Sequence, residues 1–329
     1  MQQVVKSMQK LTKTAKKYRY AVLGGMGFIG SHIVDELQKQ GHWILVIDNF
    51  KSGKLENISS LKNGEWWEYD ITNNDGQLAT QLKKNKIDYV FHLAAEPYIP
   101  DCYDRPEDFF NVNANGTLNV LMACREAKIK KIIIYSTSEV YGTVYGKISE
   151  KTPLNPQSTY AVSKLAGDRL AFALFHEHRI PVIILRQFNC YGERESHAYV
   201  IPEIISQIDI SKTLKLGNIK AKRDFMYVKD AARLSVQLMA KGVPGEVYNL
   251  GTGKSMTIQK IAETIIKYRG IDIKLVIDKK RFRPFDVEKL EADNRKIAKV
   301  VKLKFTDFNE GIQSTIQWFL DNGHKWGFE

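Results

Sequence analysis

The stretch Tyr20-Ala21-Val22-Leu23-Gly24-Gly25-Met26-Gly27-Phe28-Ile29-Gly30 decides the fold. A short apolar run of strand length leads straight into a glycine-rich turn, and a helix-like stretch over 28–40 follows. Glycines permit a tight turn and close approach of backbone to a pyrophosphate, and a helix that starts there presents unpaired N–H groups to anionic charge. The run reads as a phosphate cradle between strand and helix. A purely structural glycine turn is the alternative.

Outward from that turn, strand-like and helix-like segments alternate, a pattern that yields a parallel sheet covered on both faces. Strands are predicted over 20–23, 43–47, 66–69, 89–93, 131–135 and 182–185, with helices over 28–40, near 107–127 and over 159–178. After Arg186 the regularity weakens; 247–250 reads as a late strand, and 257–268 and 308–320 as amphipathic helices. The expected fold class is α/β, a Rossmann-type doubly wound parallel sheet with a smaller C-terminal substrate-binding lobe. Its expected division is a basic tail at 1–17, a dinucleotide-binding domain at 18–188 with a returning segment at about 225–252, and a substrate lobe from 189–224 and 253–329.

With 329 residues and 43% hydrophobic content the chain can bury a large core, which excludes disorder of the whole. Its longest apolar runs, such as 132–135 and 182–185, are far short of the ~20 residues a bilayer span needs, so no membrane partner is expected. Lys6, Lys10, Lys13, Lys16, Lys17 and Arg19 carry half of the formal +12 charge in a stretch with neither an acidic residue nor an apolar h-region. It reads as a basic tail, not a signal peptide. The milder remaining excess suits a phosphate-rich ligand; no aromatic-basic motif points to nucleic acid. Only Cys102, Cys124 and Cys190 occur, with no close pair, and a reducing cytoplasm is the expected location.

Asp48 closes the second predicted strand about 20 residues beyond the glycines, where a carboxylate hydrogen-bonds ribose hydroxyls and favours NAD over NADP. Lys51 and Lys54 keep a 2′-phosphate reading open. Asp70, ending the third strand, is a candidate for the adenine amino group or a turn carboxylate. Further on, Tyr160 and Lys164 stand at i and i+4 of a predicted helix and share one face. A nearby ammonium lowers a phenol's pKa, and a phenolate can take a hydroxyl proton while hydride leaves the same carbon. Thr137 follows the fifth strand, at the edge where α/β sheets bind ligands, and its hydroxyl can bridge substrate and Tyr160.

The glycine run, His92-Leu93-Ala94-Ala95, Ser136-Thr137-Ser138-Glu139-Val140-Tyr141-Gly142 and Tyr160-x-x-x-Lys164 together resemble the extended short-chain dehydrogenase/reductases, from Tyr20 to the C-terminal end. Leu23 departs from the usual Thr. The resemblance implies an NAD site lined by Gly24, Gly27, Phe28, Ile29, Gly30, Asp48, Asn49, Asp70, Ile71, Leu93, Ala94, Ala95, Tyr160 and Lys164, and a catalytic set of Thr137, Glu139, Tyr160 and Lys164. It also implies a nucleotide-diphosphate sugar as substrate, with Ser138, Asn189, Arg194, Arg223 and Arg283 as contacts and Arg281 beside them; a surface ion pair is the alternative for each arginine. Gln187 stands where relatives read Pro in Arg-Pro-Phe-Asn. By the same analogy the helices near 107–127 and 159–178 pair two subunits into a homodimer.

Within the superfamily, Glu139 sits two residues after Thr137, where epimerases usually show no acid. Thr-Ser-Glu is similar to GDP-mannose 4,6-dehydratases, certain UDP-N-acetylglucosamine 4,6-dehydratases and UDP-glucuronate decarboxylases. The Tyr160-Ala161-Val162-Ser163-Lys164 helix start, and Arg283-Pro284-Phe285-Asp286-Val287-Glu288-Lys289-Leu290 followed by Asp293, resemble the dehydratases. Ser138 departs from those dehydratases that place an Asp there to protonate the leaving hydroxide. The implied activity is an NAD-dependent nucleotide-sugar 4,6-dehydratase, with an epimerase or decarboxylase as alternatives. A non-catalytic NAD-sensing protein on the same fold has no need of the Tyr-Lys-Thr set. His92 reads as a packed group, and His176, His178 and His197 are too scattered for metal ligands, so no metal is expected.

Overall fold

The computed structural model describes residues 16–196, 198–284 and 286–323. Most of the basic tail, together with His197 and Phe285, lies outside the described residues. Seven parallel strands form the main sheet: β1 (Arg19–Leu23), β2 (Trp43–Asp48), β3 (Gly64–Glu68), β4 (Tyr89–His92), β5 (Lys131–Thr137), β6 (Val182–Gln187) and β7 (Val247–Leu250). Their spatial order is β3-β2-β1-β4-β5-β6-β7, so the order reverses between β1 and β4 and opens a crevice at the carboxyl edge.

The strands read as near-continuous apolar runs because both faces are covered. Alternate residues serve opposite layers. Val22, Val46, Phe91, Ile133 and Ile183 pack with Ile33 and Leu37 of α1 (Phe28–Lys39), while Leu23, Ile47, Val90, Ile134 and Ile184 form a second core. That second core takes in Leu78 of α2 (Gln77–Lys84), Leu121 of α4 (Thr117–Glu126) and Ala171 of α5 (Thr159–His178). A third apolar cluster joins Ile204 of α6 (Val200–Ile210), Ile261 of α8 (Ile258–Arg269) and Ile316 of α9 (Phe308–Asn322); α7 (Val228–Lys241) closes the first core.

Two local expectations differ from the structure. The helix expected near 107–127 is broken into α3 (Pro106–Phe110), a π-helical segment Asn111–Gly116 and then α4. The wider turn lets the Asn113 side chain leave the helix: Oδ1 accepts the Glu96 N–H at 2.9 Å, and Nδ2 donates to the Glu96 carbonyl and the Ser163 hydroxyl, each at 3.0 Å. A π-bulge of this kind commonly marks a functional site. The third strand begins at Gly64, not 66, because a side chain there would sit 2.0 Å from the Ile44 carbonyl; only glycine permits that pairing.

Beneath the sheet edge lies a fully buried ion pair. Arg186, 2% exposed, donates from Nε to Asp168 Oδ2 at 2.8 Å and from Nη2 to Oδ1 at 3.1 Å, and from Nη1 to the Tyr141 hydroxyl at 2.9 Å. Tyr141 in turn donates to Asn249 Oδ1 at 2.7 Å, so α5, β6 and β7 share one network. Removing one partner strands a buried charge. Asp168→Ala is expected to lower the unfolding free energy by about 3–5 kcal/mol in a urea titration.

Candidate active site

The glycine turn sits against the end of β4. Gly24 adopts φ +75°, and a Cβ on it would meet the Ala94 nitrogen at 2.6 Å; one on Gly30 would meet the Gly24 carbonyl at 2.1 Å. Leu93 and Ala94 donate their N–H groups to the Leu23 carbonyl at 2.8 and 3.0 Å, which fixes this approach. The cradle has no room for side chains, as close backbone approach to a pyrophosphate requires. Phe28 and Ile29 open α1 immediately after it, and Ala95 lies half-buried beside Ala94.

Asp48 is buried at the end of β2 and holds the turn in place. Its Oδ2 accepts the Met26 N–H at 2.9 Å and its Oδ1 the Phe50 N–H at 3.0 Å. Burial pushes its pKa up, with those bonds opposing, and each oxygen keeps a second acceptor position. Beside it Asn49 donates to Asp70 Oδ2 at 2.9 Å, and Asp70 Oδ1 accepts from the Thr72 N–H and hydroxyl at 2.8 and 2.7 Å. Asp70 thus makes the turn contacts of its bland reading, yet stays at the adjoining edge with buried Ile71. Lys51 is ion-paired with Glu96 across this edge.

Thr137, Glu139 and Tyr160, distant in the chain, converge. The Ser158 hydroxyl caps α5 by accepting the Ala161 N–H at 3.1 Å, so Tyr160 enters the helix in its first turn. There its phenol is hydrogen-bonded to the Thr137 hydroxyl and feels the Glu139 carboxylate, and burial pushes it up to about 12. Thr137 Oγ1 also accepts the Glu139 N–H at 3.2 Å, in the turn that contains buried Ser138. Lys164 donates from Nζ to the Tyr135 carbonyl at 2.6 Å, and burial lowers it to about 8. A phenol, a hydroxyl, a carboxylate and an ammonium thus share one end of the sheet, a set able to move a hydroxyl proton and a carbon-bound proton.

The proposed substrate contacts fare differently. Arg283 is half-buried, and its charge is felt by Tyr98, Tyr103 and Tyr199, the last of which feels Tyr160. Asn189 is half-buried in the short strand Asn189–Tyr191, paired with Phe225–Tyr227. Arg223 is buried and pairs with Asp286 at 2.9 Å, Arg281 pairs with Glu203 at 2.8 Å, and Arg194 pairs with Asp35 of α1 at 2.8 Å. Asp224 is structural: its carboxylate accepts from Thr252, Gly253 and Ala292. Sequence reading missed the tyrosines Tyr98, Tyr103 and Tyr199; the only available signal was that Tyr98 follows the His92–Ala95 motif. No group of three or more His, Cys, Asp or Glu among the described residues is placed to hold a metal ion.

Residues 21–315 match the family described as GDP-mannose 4,6 dehydratase, and the chain belongs to that family. It is similar to dTDP-D-glucose 4,6-dehydratase of Homo sapiens, 30% identical over 322 residues that cover 94% of this chain and 91% of the relative. It is also 34% identical, over 93% of this chain and 98% of the relative, to the UDP-N-acetyl-alpha-D-glucosaminuronate decarboxylase of Bacillus cytotoxicus. Among solved structures, DesIV (dTDP-glucose 4,6-dehydratase) of Streptomyces venezuelae, with NAD and TYD bound, superposes with a TM-score of 0.87 at 27% identity, covering 94% of this chain and 100% of that one.

His92 belongs to the packing. Its Nε2 is bonded to the Thr117 hydroxyl at 3.0 Å, and burial lowers its pKa to about 3; burial likewise lowers His32 to about 4. Both stay neutral in the folded chain, whereas the unfolded chain protonates them below about pH 6.5. Their shared contribution to stability is therefore present above about pH 6.5 and lost as pH falls from there toward 4. Urea midpoints measured from pH 7 to 5 should fall, each histidine adding up to about 1.4 kcal/mol per pH unit, with a shallower fall in His92→Asn.

Proposed function

We propose that this chain is an NAD-dependent nucleotide-sugar 4,6-dehydratase, which oxidises C4, removes water across C5 and C6 and delivers hydride to C6, leaving a 4-keto-6-deoxy sugar nucleotide. The observation that carries the reading is Glu139 beside the hydrogen-bonded Tyr160 and Thr137. An epimerase needs only the phenol and its hydroxyl partner; a carboxylate near them gives a base for the C5 hydrogen, which the C4 ketone acidifies. The dehydratase relatives fit this chemistry.

Bound NAD supplies a hydride acceptor for C4 and a hydride donor for C6. The Gly24 to Gly30 cradle and Asp48 hold it, with Asn49, Asp70, Ile71 and Leu93–Ala95 around the groove. Tyr160 takes the C4 hydroxyl proton through its contact with Thr137, and the Lys164 charge favours the phenolate despite its burial. Glu139 then takes the C5 proton. On the substrate lobe, Arg283 is the diphosphate contact that its neighbourhood of Tyr98, Tyr103 and Tyr199 favours, with Ser138 and Asn189 toward the sugar. Arg194 and Arg223 reach the diphosphate by exchanging their carboxylate partners for phosphate oxygens.

A homodimer fits the exposed apolar side chains of Phe110, Met122 and Val162 on α3, α4 and α5. No helix among the described residues is long and apolar enough to cross a membrane. A reducing cytoplasm suits the free thiols of Cys102, Cys124 and Cys190.

The deciding experiment is incubation with UDP-, GDP-, CDP- and dTDP-hexoses and mass analysis of the products. Loss of one water supports dehydration, unchanged mass favours epimerisation, and loss of carbon dioxide from a uronic acid favours the decarboxylase. Tyr160→Phe should lower turnover by at least about 10²-fold. Glu139→Gln should spare C4 oxidation and accumulate NADH absorbance without water loss; normal turnover in that variant would return Glu139 to a structural carboxylate.

A further inference from the structure

Glu139 has to meet the C5 hydrogen from a very short element. Its carboxylate stands on a 3₁₀ turn of four residues, Ser138–Tyr141, a geometry whose own hydrogen bonds are poor. Ser138, Val140 and Tyr141 of that turn are buried, and Glu139 is its half-buried member. At the start of the turn the Glu139 N–H donates to Thr137 Oγ1 at 3.2 Å, the same hydroxyl that is bonded to Tyr160. At its end the Gly142 N–H donates to the Glu139 carbonyl, also at 3.2 Å. Both bonds lie at the long end of the range, so the turn needs a firmer anchor.

Resting on the dehydratase reading above, we infer that Tyr141 is a positioning residue for Glu139: its hydroxyl ties the turn to the buried Arg186–Asp168 pair and to Asn249, and so fixes the carboxylate relative to the helix that presents Tyr160. The hydroxyl uses both of its roles, accepting from Arg186 Nη1 at 2.9 Å and donating to Asn249 Oδ1 at 2.7 Å. Arg186 is held in turn by two bonds to Asp168, at 2.8 and 3.1 Å. Asp168 lies on α5 at i+4 from Lys164 and i+8 from Tyr160, on the face those two share. Asn249 is held from its own side, where Nδ2 donates to the Ile148 carbonyl at 2.9 Å and the backbone N–H to Glu150 Oε1 at 2.8 Å. Turn and helix are thus joined twice, once through Thr137 and once through Tyr141, Arg186 and Asp168.

Stability alone does not account for this arrangement, because apolar side chains of similar volume often replace a buried ion pair without loss. What a polar link adds is direction: each bond has a preferred length and angle, whereas apolar packing tolerates sliding. Tyr141, Arg186, Asp168 and Asn249 are each at most 2% exposed, so bulk water does not compete for these bonds.

The two bases therefore depend on different anchors. Tyr160 rides on a 20-residue helix that Lys164 ties to the Tyr135 carbonyl, a bond that does not involve Tyr141. Glu139 rides on the turn. Losing the Tyr141 hydroxyl displaces the base for C5 and spares the base for C4, and a shift of about 1 Å at a reacting group can cost about 10²-fold. The Asn155 N–H still donates to the Val140 carbonyl at 2.9 Å, a backbone bond that keeps the turn folded when the side chain changes.

The test is Tyr141→Phe, which keeps the ring and removes the hydroxyl, with a nucleotide hexose that the unaltered protein converts. Single-turnover NADH formation should stay within about twofold of the unaltered rate, while water loss falls by about 10- to 10²-fold and NADH accumulates. Deuterium at C5 of the hexose should slow water loss by a larger ratio in Tyr141→Phe than in the unaltered protein, a change that lowered stability alone does not produce. NADH formation and water loss falling together, or neither changing, would overturn the inference and leave the dehydratase reading standing. Should Tyr141→Phe not fold, Asn249→Ala, which removes the phenol's acceptor and leaves its Arg186 bond, is judged by the same two ratios. An unaltered protein that converts no nucleotide hexose to a product lighter by one water would sink the dehydratase reading itself, and this inference with it.

Discussion

Lys164 donates to the Tyr135 carbonyl at 2.6 Å, and that contact ties α5 to β5 at the edge where the site is built. Tyr160 lies one helical turn earlier on the same face, so the tie also carries its phenol to Thr137 at the strand's last residue. The ammonium is bought at a cost in desolvation, visible in its lowered pKa. Asp168, a further turn along α5, raises it partway while anchoring Arg186 from β6. Helix, two strands and the site are therefore held by one continuous run of charged and polar contacts.

Close approach supplies the second constraint. Gly24 meets the Ala94 backbone, Gly30 meets Gly24, and Gly167 of α5 lies where a Cβ would be 2.7 Å from the Asn113 carbonyl. The last contact explains why the π-helical segment matters: it lets Asn113 staple the Glu96 backbone on one side and Ser163 on the other. The end of β4, which meets the glycine turn, is thereby joined to the helix that presents Tyr160.

Charge is distributed unevenly around this frame. Arg223 is buried against Asp286, whereas the more exposed Arg281 pairs with Glu203. An exposed ion pair exchanges partners at small net cost, whereas breaking a buried one leaves a charge stranded away from water.

Local patterns in the chain determined the sheet and its glycine turn and pointed to Asp48, Thr137, Tyr160 and Lys164 as candidates, because strand runs, a strand-turn-helix junction and an i,i+4 pair are written in neighbouring residues, whereas Glu139 was singled out by the family resemblance. Interruption of the helix near Asn113 was hidden, since a π-turn depends on what its side chain finds across the fold, not on period. The partners of the arginines were equally unreadable: Asp286 lies 63 residues from Arg223, and Glu203 78 from Arg281. Nothing in an arginine's own surroundings in sequence says which distant carboxylate will meet it; only the packed structure removes the water and decides which buried groups are paired.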